Sequence, residues 1–396
     1  MPQSSDPIVI TGIARTPMGG LLGMFSGFTG SQLGAIAVKA AVERSGLAPA
    51  DVQEVLMGCV LPAGQGQAPA RQASRGAGLP DSVVCSTVNK VCGSGMKTIM
   101  LGADTIAAGN ADIVVAGGME SMSNAPYLLP KARSGYRFGH GEVLDHMALD
   151  GLEDAYEKRT PMGAFAERTA EKYGFTREAQ DAFAIESLAR AKKANEDGSF
   201  DFEIVPVQVT GKKGTETVTR DEQPFKAAPE KIPTLKPAFK KDGTITAANA
   251  SSISDGAAAV VLMRQSEAAK RGLKPIARIV AHAGAARLPA EFTIAPVPAI
   301  ETLLAKAGWT VGDVDLWEIN EAFAVVTMAA MKEHQLPHAK VNVHGGACAL
   351  GHPIGASGTR IVTTLIGALK KSGGKRGVAT LCIGGGEATA LAIEML

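Results

Sequence analysis

Apolar residues recur at helical spacing in two distant parts of the chain, each time just after a Ser-Gly pair. The first set follows Gly95 and the second follows Gly358: Met96, Ile99, Met100, Ala103 and Ala107, and then Ile361, Val362, Leu365, Ile366 and Leu369. Each pattern predicts a helix with one buried face. Each helix leads to an apolar strand, residues 112–116 and 377–383, that ends in a glycine-rich turn with a glutamate. The chain therefore carries an internal duplication of one supersecondary unit.

The rest of the pattern divides the chain around this duplication. Residues 1–118 alternate short apolar strands with helical patterns, which predicts βαβ units and a mostly parallel sheet. Residues 119–248 contain many prolines and a charged helical stretch over 164–195, which is typical of an insertion that covers a site. We therefore expect an N-terminal half of residues 1–118 plus 249–274, an inserted loop domain of residues 119–248, and a C-terminal half of residues 275–396.

Composition excludes several classes of protein without indicating a function. The 396 residues, 45% hydrophobic and 20% charged with 46 glycines, suit an α/β protein of two or three domains. A net charge of +1 gives no field that would attract nucleic acid, and no apolar run reaches the roughly 20 residues of a membrane span. The first strand begins at Ile8, which leaves no room for a signal peptide. Five cysteines, an odd number, indicate reduced thiols, so we expect a cytoplasmic protein.

The two duplicated units place a reactive side chain in the same kind of loop. Cys92 precedes the first helix, where unpaired N–H groups and the helix dipole favour thiolate over thiol. Gly93 and Gly95 beside it allow a substrate to approach the backbone closely. His352, in a Gly-His-Pro sequence, precedes the second helix. A buried core cysteine and a simple loop histidine are the alternatives, but a nucleophilic cysteine needs a nearby base, and the duplication supplies one.

Two further residues could belong to the same site. Cys382 ends an apolar strand and is followed by three glycines, so it should face the site, although a core position is the alternative. Asn320 precedes a predicted helix over residues 321–332, and helix capping alone would explain an asparagine there. His344 and Cys348 lie near His352, but the chain has no regularly spaced Cys/His quartet, and we expect no metal site.

Several motifs in this order are similar to those of the thiolase family. They are Asn89-Lys-Val-Cys-Gly-Ser-Gly-Met96, Ala116-Gly-Gly-Met-Glu-Ser-Met-Ser123, Asn320-Glu-Ala-Phe323, Gly351-His-Pro-Ile-Gly-Ala-Ser-Gly358 and Cys382-Ile-Gly-Gly-Gly386. The resemblance extends from about Ile8 to Leu396 and is closest to the acetyl-CoA-condensing group. It implies an α/β fold of two similar halves packed in five αβαβα layers, with the inserted loop domain across the top, where coenzyme A would bind.

The resemblance also implies a mechanism for these residues. Cys92 would carry the acyl group, and His352 would activate it and help bind the thioester oxygen of the second substrate. Cys382 would remove the α-proton of acetyl-CoA, or take the proton of coenzyme A in the reverse direction. Asn320 would hold a water that completes a first oxyanion hole with His352. The backbone N–H groups of Cys92 and Gly384 would form the second oxyanion hole.

Substrate contacts are also expected from the resemblance, in a protein that uses acyl-CoA substrates and needs no cofactor. The expected contacts are Met162, Lys226, Ser251, Ala322 and Phe323. Lys226 comes from a stretch, residues 210–241, with eight Lys or Arg against four Asp or Glu, which suits phosphate binding or an ordinary solvated loop equally well. The family resemblance further implies a homodimer or a homotetramer.

The main functional hypothesis is condensation of two acetyl-CoA molecules to acetoacetyl-CoA, with the reverse thiolysis. A degradative 3-ketoacyl-CoA thiolase of broader chain length is the alternative, because Pro161 stands where acetoacetyl-specific relatives usually have histidine. A non-catalytic acyl-CoA or lipid carrier is a remote alternative. The complete set of Cys92, His352, Asn320 and Cys382 disfavours a carrier.

Overall fold

The computed structural model of the protein describes residues 6–211 and 214–396. Ten strands form one large sheet and four form two small hairpins. The strands are β1 Ile8–Arg15, β2 Gly19–Gly20, β3 Glu54–Gly58, β4 Val84–Val88, β5 Ile113–Ser121, β6 Tyr127–Leu128, β7 Leu144–Asp145, β8 Val207–Gly211, β9 Gly214–Val218, β10 Ser254–Arg264, β11 Ala277–Ala286, β12 Leu316–Ile319, β13 Arg376–Ile383 and β14 Glu387–Met395.

The helices fill the intervals between the strands. They are α1 Gly30–Ser45, α2 Pro69–Gly76, α3 Ser94–Ala107, α4 Met162–Tyr173, α5 Arg177–Glu196, α6 Gln223–Lys226, α7 Gln265–Lys270, α8 Pro296–Ala307, α9 Ala324–His334, α10 Ala347–Leu350 and α11 Ser357–Ser372. Local sequence explains several boundaries. For example, α1 begins at a Thr29–Gln32 capping box and ends at Gly46 in the left-handed region.

Each half of the large sheet contains both parallel and antiparallel pairs. The N-terminal half has the order β4-β3-β5-β10-β1, and the C-terminal half has the order β11-β14-β13-β12. Parallel pairing is confined to β3 with β4 and β5, and to β12 with β13. The prediction of a mostly parallel sheet is therefore wrong for the centre of the large sheet. There β10, which follows the predicted insertion, runs antiparallel between β1 and β5, and the local sequence pattern does not reveal this pairing.

Three apolar cores define the predicted five layers. One core lies between α1, α2 and the N-terminal half of the sheet. The second surrounds α3 and α11, which contact each other between the two halves. The third lies between α8 and the C-terminal half of the sheet. Helix and sheet layers therefore alternate as αβαβα, which is the fold that the resemblance to thiolases implies.

The duplicated helices α3 and α11 meet at their N-terminal ends, where glycine is required. A side-chain carbon on Gly358 would lie 2.2 Å from the backbone nitrogen of Met96, and one on Gly95 would lie 2.8 Å from that of Thr359. The Thr359 hydroxyl donates to the Gly95 carbonyl at 2.8 Å across this contact. The two Ser-Gly pairs of the sequence therefore bring both loops, and the residues just before them, to one place.

Helix boundaries differ from the predicted ones in two places. The charged stretch over 164–195 forms two helices, α4 and α5, because Gly174 ends the first in a left-handed conformation and Thr176 caps the second. The helix predicted over 321–332 begins only at Ala324, with Phe323 at its cap position. The domain boundaries expected from the sequence remain a prediction.

Candidate active site

Cys92 lies in the loop between β4 and α3, two residues before the helix begins. Its side chain is half-buried and packs against an apolar cluster that includes Val60, Leu61 and Ile354. A side-chain carbon on the next residue, Gly93, would lie 2.3 Å from Ile383 Cδ1. The missing side chain therefore allows the Cys92 loop to pack directly against the end of β13 in the opposite half.

The electrostatic surroundings of Cys92 differ from the sequence expectation. Burial raises the pKa of the Cys92 thiol to about 11, and a hydrogen bond from the Gly384 N–H only partly opposes this effect. The helix N-terminus therefore does not suffice to keep a thiolate in the resting site, because desolvation disfavours the charged form more strongly. Formation of the nucleophile needs a base close by, or the approach of the substrate.

His352 lies between α10 and α11, and its surroundings define which ring nitrogen carries the proton. Nδ1 is 2.6 Å from the Ser357 hydroxyl oxygen. That hydroxyl donates its proton to the Pro353 carbonyl at 3.0 Å, so it accepts from the imidazole. We therefore assign the proton to Nδ1, which leaves a lone pair on Nε2.

The free nitrogen of His352 is available for proton transfer. Nε2 is buried and has no hydrogen-bond partner among the residues that the structure describes. Burial, and then the charge of Arg360, lowers the pKa of His352 to about 3. The imidazole is therefore neutral in the resting site, and it can accept a proton when negative charge develops nearby.

The end of β12 places Asn320 beside His352. Asn320 directly follows β12, is fully buried, and places Nδ2 3.5 Å from Nδ1 of His352. Phe323, rather than Asn320, occupies the cap position of α9, so helix capping does not explain the asparagine. The structure therefore removes the capping alternative and leaves Asn320 beside the imidazole.

Cys382 is the second-last residue of β13 and is completely buried. Burial and the neighbouring Cys92 raise the pKa of its thiol well above the ordinary value. Cys382 belongs to an apolar cluster that also contains Ala322 and Phe323, and Met162 packs against this cluster. A side-chain carbon on Gly384 would lie 3.5 Å from Met162 Sδ. Three of the expected substrate contacts therefore surround Cys382.

Of the two remaining expected contacts, Ser251 lies beside Ala322 and Lys226 lies on an open cleft. Ser251 donates its N–H to the Ala322 carbonyl at 2.9 Å, which joins two of the expected residues. Lys226, on α6, pairs with Glu222 and lies on the wall of a cleft of about 330 Å³. Lys231 and Ser252 line the same cleft, and the Ser252 carbonyl accepts the His352 N–H at 3.1 Å. The cleft therefore connects a basic rim to the catalytic loop. Lys212 and Lys213 of the basic stretch lie outside the described residues.

Sequence reasoning assigned no role to Glu120 or Ser357, which hold the catalytic loops. Glu120 is buried in β5 and accepts N–H groups from Val60, Leu61 and Gly355 at 2.9 to 3.1 Å. It therefore joins the loop after β3 to the loop that carries His352. A lone carboxylate in an otherwise apolar strand is a signal that could have identified it.

The role of His352 as a base can be tested by alkylation of Cys92. His352→Ala should slow the reaction with iodoacetamide near neutral pH by about tenfold or more, because the thiol then loses its proton only to solvent. The measurement is the alkylation rate at Cys92 over an assay range of about pH 6 to 9. His344→Ala is a matched control, since the His344 ring packs against Phe200. Identical rates in the parent and His352→Ala would remove His352 from thiol activation.

Comparison with known proteins agrees with this geometry. A family model described as "Thiolase, N-terminal domain" matches residues 8–266, and one described as "Thiolase, C-terminal domain" matches residues 273–395. The chain therefore belongs to the thiolase family. This finding confirms the family predicted from the sequence motifs.

Individual relatives cover essentially the whole chain. Acetyl-CoA acetyltransferase 2 of Arabidopsis thaliana is 52% identical over an alignment of 399 residues, which covers 100% of this chain and 99% of that protein. A cytosolic acetyl-CoA acetyltransferase of Gibberella zeae is 49% identical over 392 residues, 98% of each protein. The crystal structure of a thiolase from Ascaris suum in complex with coenzyme A superposes with a TM-score of 0.93 at 46% identity, over 98% of this chain and 100% of that chain.

A metal-binding cluster and a membrane-spanning helix are both absent from residues 6–211 and 214–396. Within these ranges, no group of three or more His, Cys, Asp or Glu side chains has an arrangement that could hold a metal ion. No helix in the same ranges is both long enough and apolar enough to cross a membrane.

Proposed function

We propose that the protein condenses two acetyl-CoA molecules to acetoacetyl-CoA and coenzyme A, and catalyses the reverse thiolysis, through an acetyl-Cys92 intermediate. The observation that carries this proposal is the meeting of two cysteines from opposite halves. Cys92 is near enough to Cys382 to add to the rise that burial causes in the pKa of Cys382, and the Gly384 N–H donates to Cys92. This proximity supports a mechanism in which one thiol holds an acyl group while the other exchanges a proton beside it.

In the first step, Cys92 attacks the carbonyl carbon of acetyl-CoA and its proton passes to Nε2 of His352. The N–H groups of Cys92 and Gly384 stabilise the oxyanion of the tetrahedral intermediate. The carbon–sulfur bond to coenzyme A then breaks, and the leaving thiolate takes the proton of Cys382. The products are acetyl-Cys92, a Cys382 thiolate, a protonated His352 and free coenzyme A.

In the second step, the Cys382 thiolate removes a methyl proton from the second acetyl-CoA. His352 and the water held by Asn320 stabilise the enolate oxygen. The enolate carbon attacks the acetyl group, a carbon–carbon bond forms, and the bond to Cys92 breaks. His352 returns its proton to the Cys92 thiolate, which restores the resting enzyme. The raised pKa of Cys382 suits this step, because a desolvated thiolate is a strong base.

The acyl pocket supports a short-chain substrate. Phe239 and Phe323 meet edge to face with ring centroids 6.1 Å apart, and Phe323 meets Phe292 at 6.4 Å. A side-chain carbon on Gly163 would lie 2.3 Å from the Phe239 ring, so this wall is already closely packed. Extra methylenes in such a pocket must displace aromatic rings.

We therefore expect thiolysis of acetoacetyl-CoA to exceed that of 3-ketohexanoyl-CoA by about tenfold or more in kcat/KM, since overpacking costs about 1–3 kcal/mol. The measurement is the loss of each 3-ketoacyl-CoA on addition of coenzyme A. Equal turnover of the two substrates would instead support a 3-ketoacyl-CoA thiolase of broad chain length. A protein that binds both but cleaves neither would be a carrier.

For binding of coenzyme A, we propose that Lys226 and Lys231 face its phosphates while Ser251, Met162 and Phe323 contact the inner part of the substrate. The cleft between the basic rim and the His352 loop supports this direction. We also propose a cytoplasmic homodimer or homotetramer that needs no cofactor beyond its substrates. All five cysteines are free thiols, which suits a reducing compartment, and one relative is named as cytosolic.

A further inference from the structure

A buried ion pair lies directly behind the Asn320–His352 pair. Arg360, in the first turn of α11, places Nη1 3.6 Å from the Glu318 carboxylate, and both side chains are at most 2% exposed. Glu318 lies on β12, two residues before Asn320. The other end of the guanidinium, Nη2, lies 3.5 Å from Oδ1 of Asn320. Arg360 therefore contacts both Glu318 and the side chain that faces His352.

The orientation of the Asn320 carboxamide needs an explanation. Its Nδ2, a donor, faces Nδ1 of His352, which already carries a proton that it donates to Ser357. Two donors that face each other are unfavourable. This contact alone would favour an Asn320 carboxamide rotated by about 180°, here called flipped, in which Oδ1 accepts from the imidazole N–H. The guanidinium opposes the flip, because a flipped amide would turn its NH2 group toward the positive charge of Arg360.

We propose that Arg360 is a positioning residue for the condensation step, and that its guanidinium, held by Glu318, keeps the Asn320 carboxamide in the orientation that presents Nδ2 beside His352. This inference rests on the proposed function, in which Asn320 holds the water of the first oxyanion hole. The flipped carboxamide would present a carbonyl oxygen there and would repel a developing enolate.

A purely structural role accounts poorly for this pair. Nε and Nη1 of Arg360 and Oε1 of Glu318 are buried and have no hydrogen-bond partner among the described residues. Buried ion pairs with such incomplete bonding are often replaced by apolar side chains without loss of stability. The charge of Arg360 also contributes to the lowered pKa of His352, so the electric field of the guanidinium reaches the imidazole.

Arg360→Lys tests the geometry while it keeps the positive charge. A lysine offers one nitrogen on a flexible stem and cannot contact Glu318 and Asn320 together. We expect condensation to fall by about tenfold, the scale of one hydrogen bond to a charged group, while acetylation of Cys92 continues at the parental rate. Rapid-quench mass spectrometry measures the acetylation, and formation of acetoacetyl-CoA measures the condensation.

A second variant guards against misfolding. Arg360→Met combined with Glu318→Leu removes both buried charges at similar volume, so we expect a thermal midpoint at least equal to that of the parent. Its condensation should fall about as far as in Arg360→Lys. Arg15→Lys is the matched control, since Arg15 is equally buried but pairs with Glu203 and Asp221 instead. This control should leave the ratio of the two rates unchanged.

An Asn320→Ala background shows whether Arg360 acts through Asn320. Addition of Arg360→Lys to that background should cause no further loss of condensation, because the group to be oriented is already gone. Additive losses would overturn the proposal, and so would a folded double charge-removal variant that condenses at the parental rate. Equal losses in both steps would show a structural role only. A parent protein that forms no acetyl-Cys92 and no acetoacetyl-CoA would instead refute the proposed function.

Discussion

Cys92→Ala should form no acetyl-enzyme when it is mixed with acetyl-CoA. Alanine supplies no nucleophile, and water is a poor substitute beside the apolar cluster of Val60, Leu61 and Ile354. We expect acetoacetyl-CoA formation to fall by about four or more orders of magnitude, as in other enzymes that lose their nucleophile. Mass spectrometry of peptides should locate one added acetyl group at Cys92 in the parent protein alone.

The other cysteines supply the control for this experiment. Cys85 is a half-buried free thiol in β4, on the strand that leads to the same loop. Cys85→Ala should keep both the adduct and the activity. An acetyl group that maps to Cys59, Cys85 or Cys348 in the parent protein would show that Cys92 is not the nucleophile.

Two similar halves could be predicted because they repeat one unit in the sequence, whereas the five-layer packing was implied only by the resemblance to the thiolase family. The apolar spacing after Gly95 and Gly358 predicts α3 and α11, and both helices lie where expected. The antiparallel position of β10 could not be read in this way. Its neighbours β1 and β5 are distant in the chain, and local periodicity contains no information about which strands pair.

The sequence predicts which residues form the candidate site more readily than it predicts their protonation states. The duplication indicates that Cys92 and His352 occupy equivalent loops, and the structure places both loops at the crossing of α3 and α11. The thiolate expectation for Cys92 is wrong, because the sequence shows the helix N-terminus but not the burial that raises the pKa to about 11. Desolvation depends on packing against Ile354 and on the close approach of Ile383 to the neighbouring Gly93, and both isoleucines lie far along the chain.

The supporting residues were missed for a related reason. Ser357 and Arg360 read as ordinary positions in the first turn of a helix, and Glu318 reads as one charge in a short strand. Only the packing of α11 against β12 places the two charges together and directs Arg360 toward Asn320. A single sequence does not give this information, whereas nucleophiles beside glycine-rich turns are visible in it.

Cys382→Ser should separate the two halves of the reaction. When Cys382 is absent, the leaving thiolate of coenzyme A can take the proton that His352 received from Cys92, so the variant should still show a burst of acetylation. Condensation should then fall by about two or more orders of magnitude, the usual effect of losing a general base. A serine hydroxyl in this fully buried position is far too weak an acid to exist as the anion that removes a methyl proton.

Exchange of deuterium into the methyl group of acetyl-CoA measures the missing step directly. The exchange should fall in parallel with condensation in Cys382→Ser, and it should persist in Cys85→Ser, which alters a half-buried thiol of β4. The burst excludes a general collapse of the site as the cause, because acetylation uses the same loops. Condensation by Cys382→Ser at a rate near that of the parent would mean that Cys382 only fills the apolar cluster with Phe323, and another group would then have to be the base.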